Sequence, residues 1–233
     1  MEKRFYVDEA SFEESYFLSG SEFHHLSRVL RMRAGEELEL INGRGLLARA
    51  QIDRLEKEGA RLTILHCKEE DLPSPSLLLG ISLFKLNRLE WTIEKGTELG
   101  ADGFYLFPAE RSEQEKLSFH QLARLRHLSI AAMKQCGRLY LPEITFCDSL
   151  SKVLDLDAQF FYGDPEAKGA ASFETSSPQI LFLTGPEGGF SDNEIDLLKE
   201  REALSVKLHK NILRAETAPL AALYGLFCRY RNS

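Results

Sequence analysis

The sequence predicts an α/β protein in two parts, a small β-rich domain over residues 1–72 and a larger domain over residues 77–233 built on a mainly parallel sheet. Three observations carry this. Period-two alternation fills much of the region between residues 37 and 67, and short apolar runs alternate with helical stripes from residue 76 onward. Between them EEDLPSPS (Glu69 to Ser76) combines acids, serines and two prolines, the composition of a linker.

In chain order, FYV near the start reads as a strand and Ser21 to Leu30 as a helix. ELELIN and LLARAQID then flank GRG as two strands around an Asn42-Gly43 turn, with Ala48, Ala50 and Ile52 on one face. RLTILHC (Arg61 to Cys67) adds a further strand. Gly43, Gly45 and Ala48 match G-x-G-x-x-A, the opening of a dinucleotide fingerprint, but period-two alternation follows and no βαβ crossover does, so the hairpin reading prevails. Past the linker, SLLLGISLF (Ser76 to Phe84) suits a buried strand, and Leu86, Leu89 and Ile93 begin a helical stripe. GFYLFPA is the next strand, and Phe119, Leu122, Leu125 and Leu128 mark a long helix. ITFC and QFFYG supply more strands. A last helix, Thr217 to Tyr230, carries Ala, Leu, Tyr and Phe on most faces, which predicts burial on more than one side in a core or a subunit interface.

With 233 residues and 43% hydrophobic content the chain can bury an ordinary globular core. No run of eighteen apolar residues and no signal-peptide pattern is visible, so a cytoplasmic protein is expected. Cys67, Cys136, Cys147 and Cys228 form no C-x-x-C pair, and neither a disulfide nor a metal site is expected. The net charge of −7 argues against binding naked nucleic acid by charge alone. Locally, Arg28, Arg31 and Arg33 follow His24 and His25 with no acid among residues 24–33, and Lys134 and Arg138 form a second small cluster. By composition alone these read as a solvated helix face and an ordinary turn.

The densest chemistry lies in two junctions, LFLTGPEGGFSDNE (Leu181 to Glu194) and VKLHKNILRAETAP (Val206 to Pro219), each an apolar run that breaks into a loop and restarts as a helix. Ligands of open α/β domains sit beyond the carboxyl ends of strands, so one ligand can touch both. Gly185, Gly188 and Gly189 permit close backbone approach. Ser191 and Glu194 have capping-box spacing, with Phe190 and Ile195 at the staple positions. In the second junction Thr217 is expected as the N-cap, with Pro219 in the first turn and Arg214 and Glu216 just before the helix. The glycine loop carries Glu187 and no Lys, which disfavours a polyphosphate and suits a neutral or cationic ligand. S-adenosylmethionine (SAM) is one such ligand, though the residues alone do not single it out.

GPEGGF (Gly185 to Phe190) followed by ILRAETA (Ile212 to Ala218) resembles the ribosomal RNA small-subunit methyltransferase E family, which methylates N3 of a uridine in 16S rRNA. FHHLSRVLRMRAGEELEL (Phe23 to Leu40), KLNRLEWTIEKGTELGA (Lys85 to Ala101) and MKQCGRLYLPEI (Met133 to Ile144) extend the resemblance along nearly the whole chain. It implies a PUA-like N-terminal β-barrel, a C-terminal SPOUT domain tied in a trefoil knot, SAM as cofactor, a homodimer, and 16S rRNA in the small ribosomal subunit as partner. It implies cofactor contacts from Leu183, Thr184, Gly185, Glu187, Gly188, Gly189, Leu208, Ile212, Leu213 and Thr217, and RNA contacts from His25, Arg28, Arg31, Lys134 and Arg138.

Methylating N3 requires loss of its proton and stabilisation of the anion that results. Arg214 is the candidate for the charge developing on the uracil carbonyls, and Glu216 for accepting the proton or orienting Arg214. The plainer reading pairs the two with each other, or gives Glu216 to the helix N-terminus. Adjacent His24 and His25 cannot face one metal from a helix. His209 is either a pocket residue or a surface one, Asp164 and Glu166 in FYGDPE stand near the site or in an exposed turn, and Glu94 and Glu98 fit a solvent face beside Lys95. Two other functions stay open, a nucleotide-binding hydrolase using the glycine loop and a non-catalytic RNA-binding module.

Overall fold

The computed structural model describes residues 3–168 and 172–231. The chain divides into two compact units, Met1–Leu72 with Met133–Leu141, and Pro73–Ala132 with Pro142–Ser233.

In the first unit, β1 (Arg4–Tyr6), β2 (Ser15–Ser19), β3 (Glu37–Ile41), β4 (Leu46–Leu55) and β5 (Gly59–Glu69) form one sheet in the order β1-β3-β4-β5-β2. β1 runs parallel to β3 and the other pairs are antiparallel. Leu38, Leu40, Ala48, Ala50, Ile52 and Leu62 meet Phe5, Leu18 and Leu26 in one core, the alternation of a sheet buried on one face. The register shifts between Arg49 and Ala50 and between Ile52 and Arg54, breaks in the regular ladder of the kind bulges make where long strands bend. β2 escapes the sequence pattern because Leu18 is its one buried residue.

The hairpin between β3 and β4 is held by Asn42, whose Oδ1 accepts from the amides of Arg44 at 2.8 Å and Leu46 at 3.1 Å. Its backbone faces another stretch of chain. Leu141 N donates to Gly43 O and Gly45 N to Leu139 O, both at 2.9 Å. A Cβ on Gly45, whose φ is +94°, would lie 2.4 Å from the Tyr140 hydroxyl, so polypeptide fills the G-x-G-x-x-A loop. The helix expected over residues 21–30 changes type midway. α1 (Gly20–His24) passes into a π-helical turn, His25–Val29, closed by the Leu30 amide on His25 O at 3.0 Å. Leu26 enters the core, while Arg28, Val29, Leu30 and Arg31 are exposed.

The second unit holds β6 (Ser76–Ser82), β7 (Gly103–Phe107), β8 (Glu143–Phe146), β9 (Gln159–Gly163), β10 (Gln179–Thr184) and β11 (Leu204–Val206) in an all-parallel sheet ordered β11-β9-β10-β6-β7-β8. Leu77, Leu79, Ile81, Ile180 and Phe182 pack with Leu89 and Ile93 of α2 (Leu86–Glu98) and Leu223 and Leu226 of α6 (Thr217–Tyr230). Leu78, Leu181 and Leu183 pack in the opposite layer with Leu150 of α4 (Leu150–Val153) and Leu198 of α5 (Asp192–Glu200). Burial on both faces is why β6 and β10 are continuous apolar runs. α3 (Phe119–Cys136) is the long helix expected from its Leu spacing, and its last turn belongs to the first unit, where Met133 packs with Ile41 and Leu139.

The chain steps outward from β6 through β7 and β8, then fills the other side with β9, β10 and β11. That reversal opens a crevice beyond the carboxyl ends of the strands. Within this chain α6 buries one broad face, leaving Ala221, Tyr224 and Cys228 exposed along a stripe. At its end Arg231 pairs with Asp102, which also accepts from Leu77 N at 2.8 Å. No helix among the described residues is long and apolar enough to cross a membrane.

Candidate active site

Beyond β9, β10 and β11 lies a cavity of about 330 Å³, closed by the start of α6. Gly163, Asp164 and Pro165 contribute from the end of β9, Thr184 to Phe190 from β10 and its loop, Val206, Leu208, His209 and Asn211 to Leu213 from β11 and its loop, and Ala215 and Ala218 from the approach to α6. Asp164 and Glu187 bring carboxylates, and no Lys or Arg lines it among the described residues. The Thr184 hydroxyl is buried there without a hydrogen-bond partner among the described residues.

The glycine loop is fastened at several points. Arg111 Nη1 donates to Gly188 O at 2.9 Å and Phe190 O at 3.2 Å, and Gly189 takes the left-handed φ of +69° that favours glycine. The capping box is complete, with the Glu194 amide on Ser191 Oγ at 3.2 Å and the Ser191 amide on Glu194 Oε2 at 2.8 Å. Glu194 Oε1 accepts from Glu110 N at 3.0 Å. Hydrogen bonds from the Ser191 and Asn193 side chains hold the Glu110 carboxyl below the usual carboxylate range. Phe190 and Ile195 share one apolar cluster.

The loop after β11 has fewer ties. Asn211 N donates to His209 Nδ1 at 3.1 Å, while Ile212 is 85% exposed. Thr217 is not the N-cap. The amides of Thr217 and Ala218 already bond to Arg214 O at 2.9 and 3.0 Å, Glu216 takes the cap position with helical φ and ψ, and no side chain caps the helix. The Arg214 side chain is 80% exposed and that of Glu216 11%, with Nη1 to Oε1 at 4.0 Å, so the expected pairing is a long one. Glu216 Oε2 stands 3.7 Å from Arg88 Nη1, and Arg88 also donates to Glu187.

Of the residues nominated for the cofactor, Thr184, Gly185, Glu187, Gly188, Gly189, Leu208, Ile212 and Leu213 line the cavity. The Leu183 side chain packs in the core, and neither Thr217 nor the charged pair Arg214 and Glu216 is part of the lining. Asp164 and His209, left open in the sequence between pocket and surface, also line it, and the structure adds Pro165 and Phe190. FYGDPE carried a partial signal for Asp164 and Pro165, because it follows a strand. Arg88 lies inside KLNRLEWTIEKGTELGA, but helical periodicity gives no reason to pick it out.

In the first unit His25 packs edge-on against Phe5 at 6.0 Å between ring centroids. Arg28 and Arg31 are exposed, and Arg138 is half-buried. Lys134 donates to both oxygens of Glu22 at 2.8 and 2.9 Å and sits over the Phe5 ring, so its charge is compensated. Glu94 and Glu98 both bond Lys95, as a solvent face allows. No cluster of metal-ligating side chains occurs among the described residues.

Comparison with known proteins places these features. Residues 70–226 match the model of an RNA methyltransferase domain, and residues 18–65 that of an RNA methyltransferase PUA domain. Ribosomal RNA small subunit methyltransferase E of Synechocystis is 35% identical over 221 residues, covering 91% of this chain and 72% of the relative. The Bacillus subtilis protein of that name is 29% identical over 90% of this chain and 88% of its own. Among solved structures, the Neisseria gonorrhoeae ribosomal RNA small subunit methyltransferase E bound to S-adenosyl methionine superposes with a TM-score of 0.88 at 29% identity, over 99% of this chain and 98% of that one. A Legionella pneumophila methyltransferase in complex with SAM gives 0.87 at 28% identity, over 98% of both chains.

Proposed function

Because the chain belongs to the ribosomal RNA small subunit methyltransferase E family, a family of the SPOUT type with a PUA-like N-terminal part, we propose that it is a SAM-dependent methyltransferase acting on N3 of a uridine in 16S rRNA. The observation that carries this reading is the lining of the cavity. Asp164 and apolar side chains, with no Lys or Arg among the described lining residues and with Glu187 already paired to Arg88, suit the positively charged sulfonium and ammonium groups of SAM, and they oppose a polyphosphate. A buried threonine hydroxyl without a partner among the described residues and a glycine loop held along the cavity fit the adenosine and methionine ends.

Thr184, Gly185, Glu187, Gly188, Gly189, Leu208, Ile212 and Leu213 are the residues that would hold SAM, with Asp164 beside them. When bound, SAM supplies a methyl group on a cationic sulfur. Arg214, mostly exposed at the α6 side, stabilises the uracil carbonyls as N3 loses its proton. Glu216, close behind, accepts that proton or orients Arg214. Arg28 and Arg31, exposed in the first unit, make the RNA-guiding surface with His25. The reading includes the trefoil knot and the homodimer implied by the family resemblance, and the exposed stripe of Ala221, Tyr224 and Cys228 on α6 supports the latter. A cytoplasmic location follows from the ribosomal substrate.

Mapping methylated bases in ribosomal RNA from cells with and without the protein tests the reaction and its position. The expected result is one uridine N3 mark that disappears. Tight ATP binding with no SAM binding would support a hydrolase instead, and RNA binding with neither would leave a non-catalytic module. Arg28→Ala with Arg31→Ala is expected to weaken RNA binding and flatten its salt dependence.

A further inference from the structure

Arg88 reaches both loops that frame the cavity. It sits in the first turn of α2, outside the cavity lining. Its Nη1 donates to Oε1 of Glu187 in the glycine loop and stands 3.7 Å from Oε2 of Glu216 before α6. That Glu216 oxygen is buried and accepts no hydrogen bond among the described residues. A buried carboxylate needs a compensating charge, and Arg88 is nearer to Glu216 than Arg214 is, at 3.7 against 4.0 Å. The forked guanidinium can serve two carboxylates at once. α2 and α6 pack in one core layer, so Arg88 works from a fixed base.

The geometry points to Arg88 as a positioning residue for methyl transfer, a strut that joins the glycine loop to the residue before α6 and balances Glu216. The inference rests on the methyltransferase reading, in which cofactor and uracil are presented by these two loops. By compensating Glu216, Arg88 leaves the exposed Arg214 available to the substrate. Neither contact requires Arg88 to touch cofactor or RNA.

The test uses the full-length protein with Arg88→Ala, Arg88→Lys, Glu216→Gln and the combination of Arg88→Ala with Glu216→Gln. Arg124→Ala is the control, since Arg124 pairs with Glu90 on α2 without reaching either loop. Three measurements are made, namely amide exchange of residues 185–190 and 211–217 without cofactor, SAM affinity by calorimetry, and the single-turnover rate on small ribosomal subunits. Arg88→Ala is expected to speed exchange in both segments together. Its turnover should fall by about 10²-fold, the penalty for a misplacement of roughly 1 Å, with a smaller loss of SAM affinity. Arg88→Lys should recover part of the rate, because an ammonium keeps the charge but loses the fork. In the double variant the loss should be well short of the product of the single losses. Exchange that rises in one segment or neither, or purely multiplicative rate losses, would overturn the strut. Should Arg88→Ala not fold, the exchange and rate of Arg88→Lys decide the matter, and wild-type behaviour in both overturns the proposal. A wild-type protein that neither binds SAM nor methylates RNA would remove the methyltransferase reading, and the cofactor-free exchange result would still judge the strut.

Discussion

The two loops around the cavity are built on opposite plans. The glycine loop after β10 is tied by Arg111, by a complete capping box and by the contact between Glu110 and Glu194. The loop after β11 exposes Ile212 almost fully, and α6 begins without a side-chain cap. Backbone that is fixed before binding presents its amides and carbonyls at little ordering cost, whereas a sparsely tied loop is ordered by its ligand. The first loop is therefore suited to holding the cofactor in a fixed frame, and the second, which also lines the cavity through Leu208, Ile212 and Leu213, to answering the substrate as well.

Four substitutions or conditions sharpen or break this comparison, and the largest effect is expected from the sparsely tied side. Arg214→Ala should lower single-turnover methylation by roughly 10²–10³-fold while leaving SAM affinity nearly unchanged, the signature of a donor used as charge develops. Equal losses of affinity and rate would erase the division of labour. Gly188→Val comes next. A Cβ there would meet Arg111 Cδ at 3.4 Å, an ordinary contact, so it is the added methyl groups of Val that are expected to crowd Arg111 and the two carbonyls it holds. SAM affinity measured by calorimetry should drop by about tenfold, or about 1.4 kcal/mol, and unaltered affinity in a folded variant would take this loop out of the pocket.

Ser191→Ala removes the cap of α5 and should cost about 1 kcal/mol of stability in chemical denaturation, with SAM affinity falling in parallel. A loss confined to stability would separate the cap from the loop. The smallest effect concerns pH. Glu110 is held below the usual carboxylate range by the side chains of Ser191 and Asn193, so its contribution is complete above the ordinary carboxylate pKa and is lost as pH falls through the lowered one. Amide protection of residues 188–194 should therefore weaken as pH falls below the ordinary carboxylate pKa. Glu110→Gln, which cannot titrate, should show a flatter profile, and identical profiles would dissociate Glu110 from the anchoring.

Most of the fold is legible in the sequence because its signals are local. β6 and β10 are apolar on both faces and bounded by loops, and Ser191 with Glu194 declares a helix start. β2 is hidden by shallow burial, and the widening of the helix at His25–Val29 has no periodic signature. At the site, the glycine loop and the residues from Leu208 to Leu213 can be read because they follow strands. Arg88 cannot, since its meaning arises when α2 brings it beside Glu187 and Glu216, residues remote in sequence. Thr217 misleads for a related reason. Its residue type suits a cap, but the turn closed on Arg214 O starts the helix one residue earlier.

The register of β10 against β6 has a consequence for the order in which the protein takes shape. Gln179 pairs with Ser76 and Thr184 with Ile81, across nearly half the chain, and β10 also pairs with β9. Until residues 179–184 arrive, β6 and β9 each lack the neighbour that β10 supplies between them. Contacts of such long range belong to the slow class of folding events. The cleft beyond these strands is thus a late product of folding, complete only once β10 has joined the two halves of the sheet and residues 206–218 have closed over it.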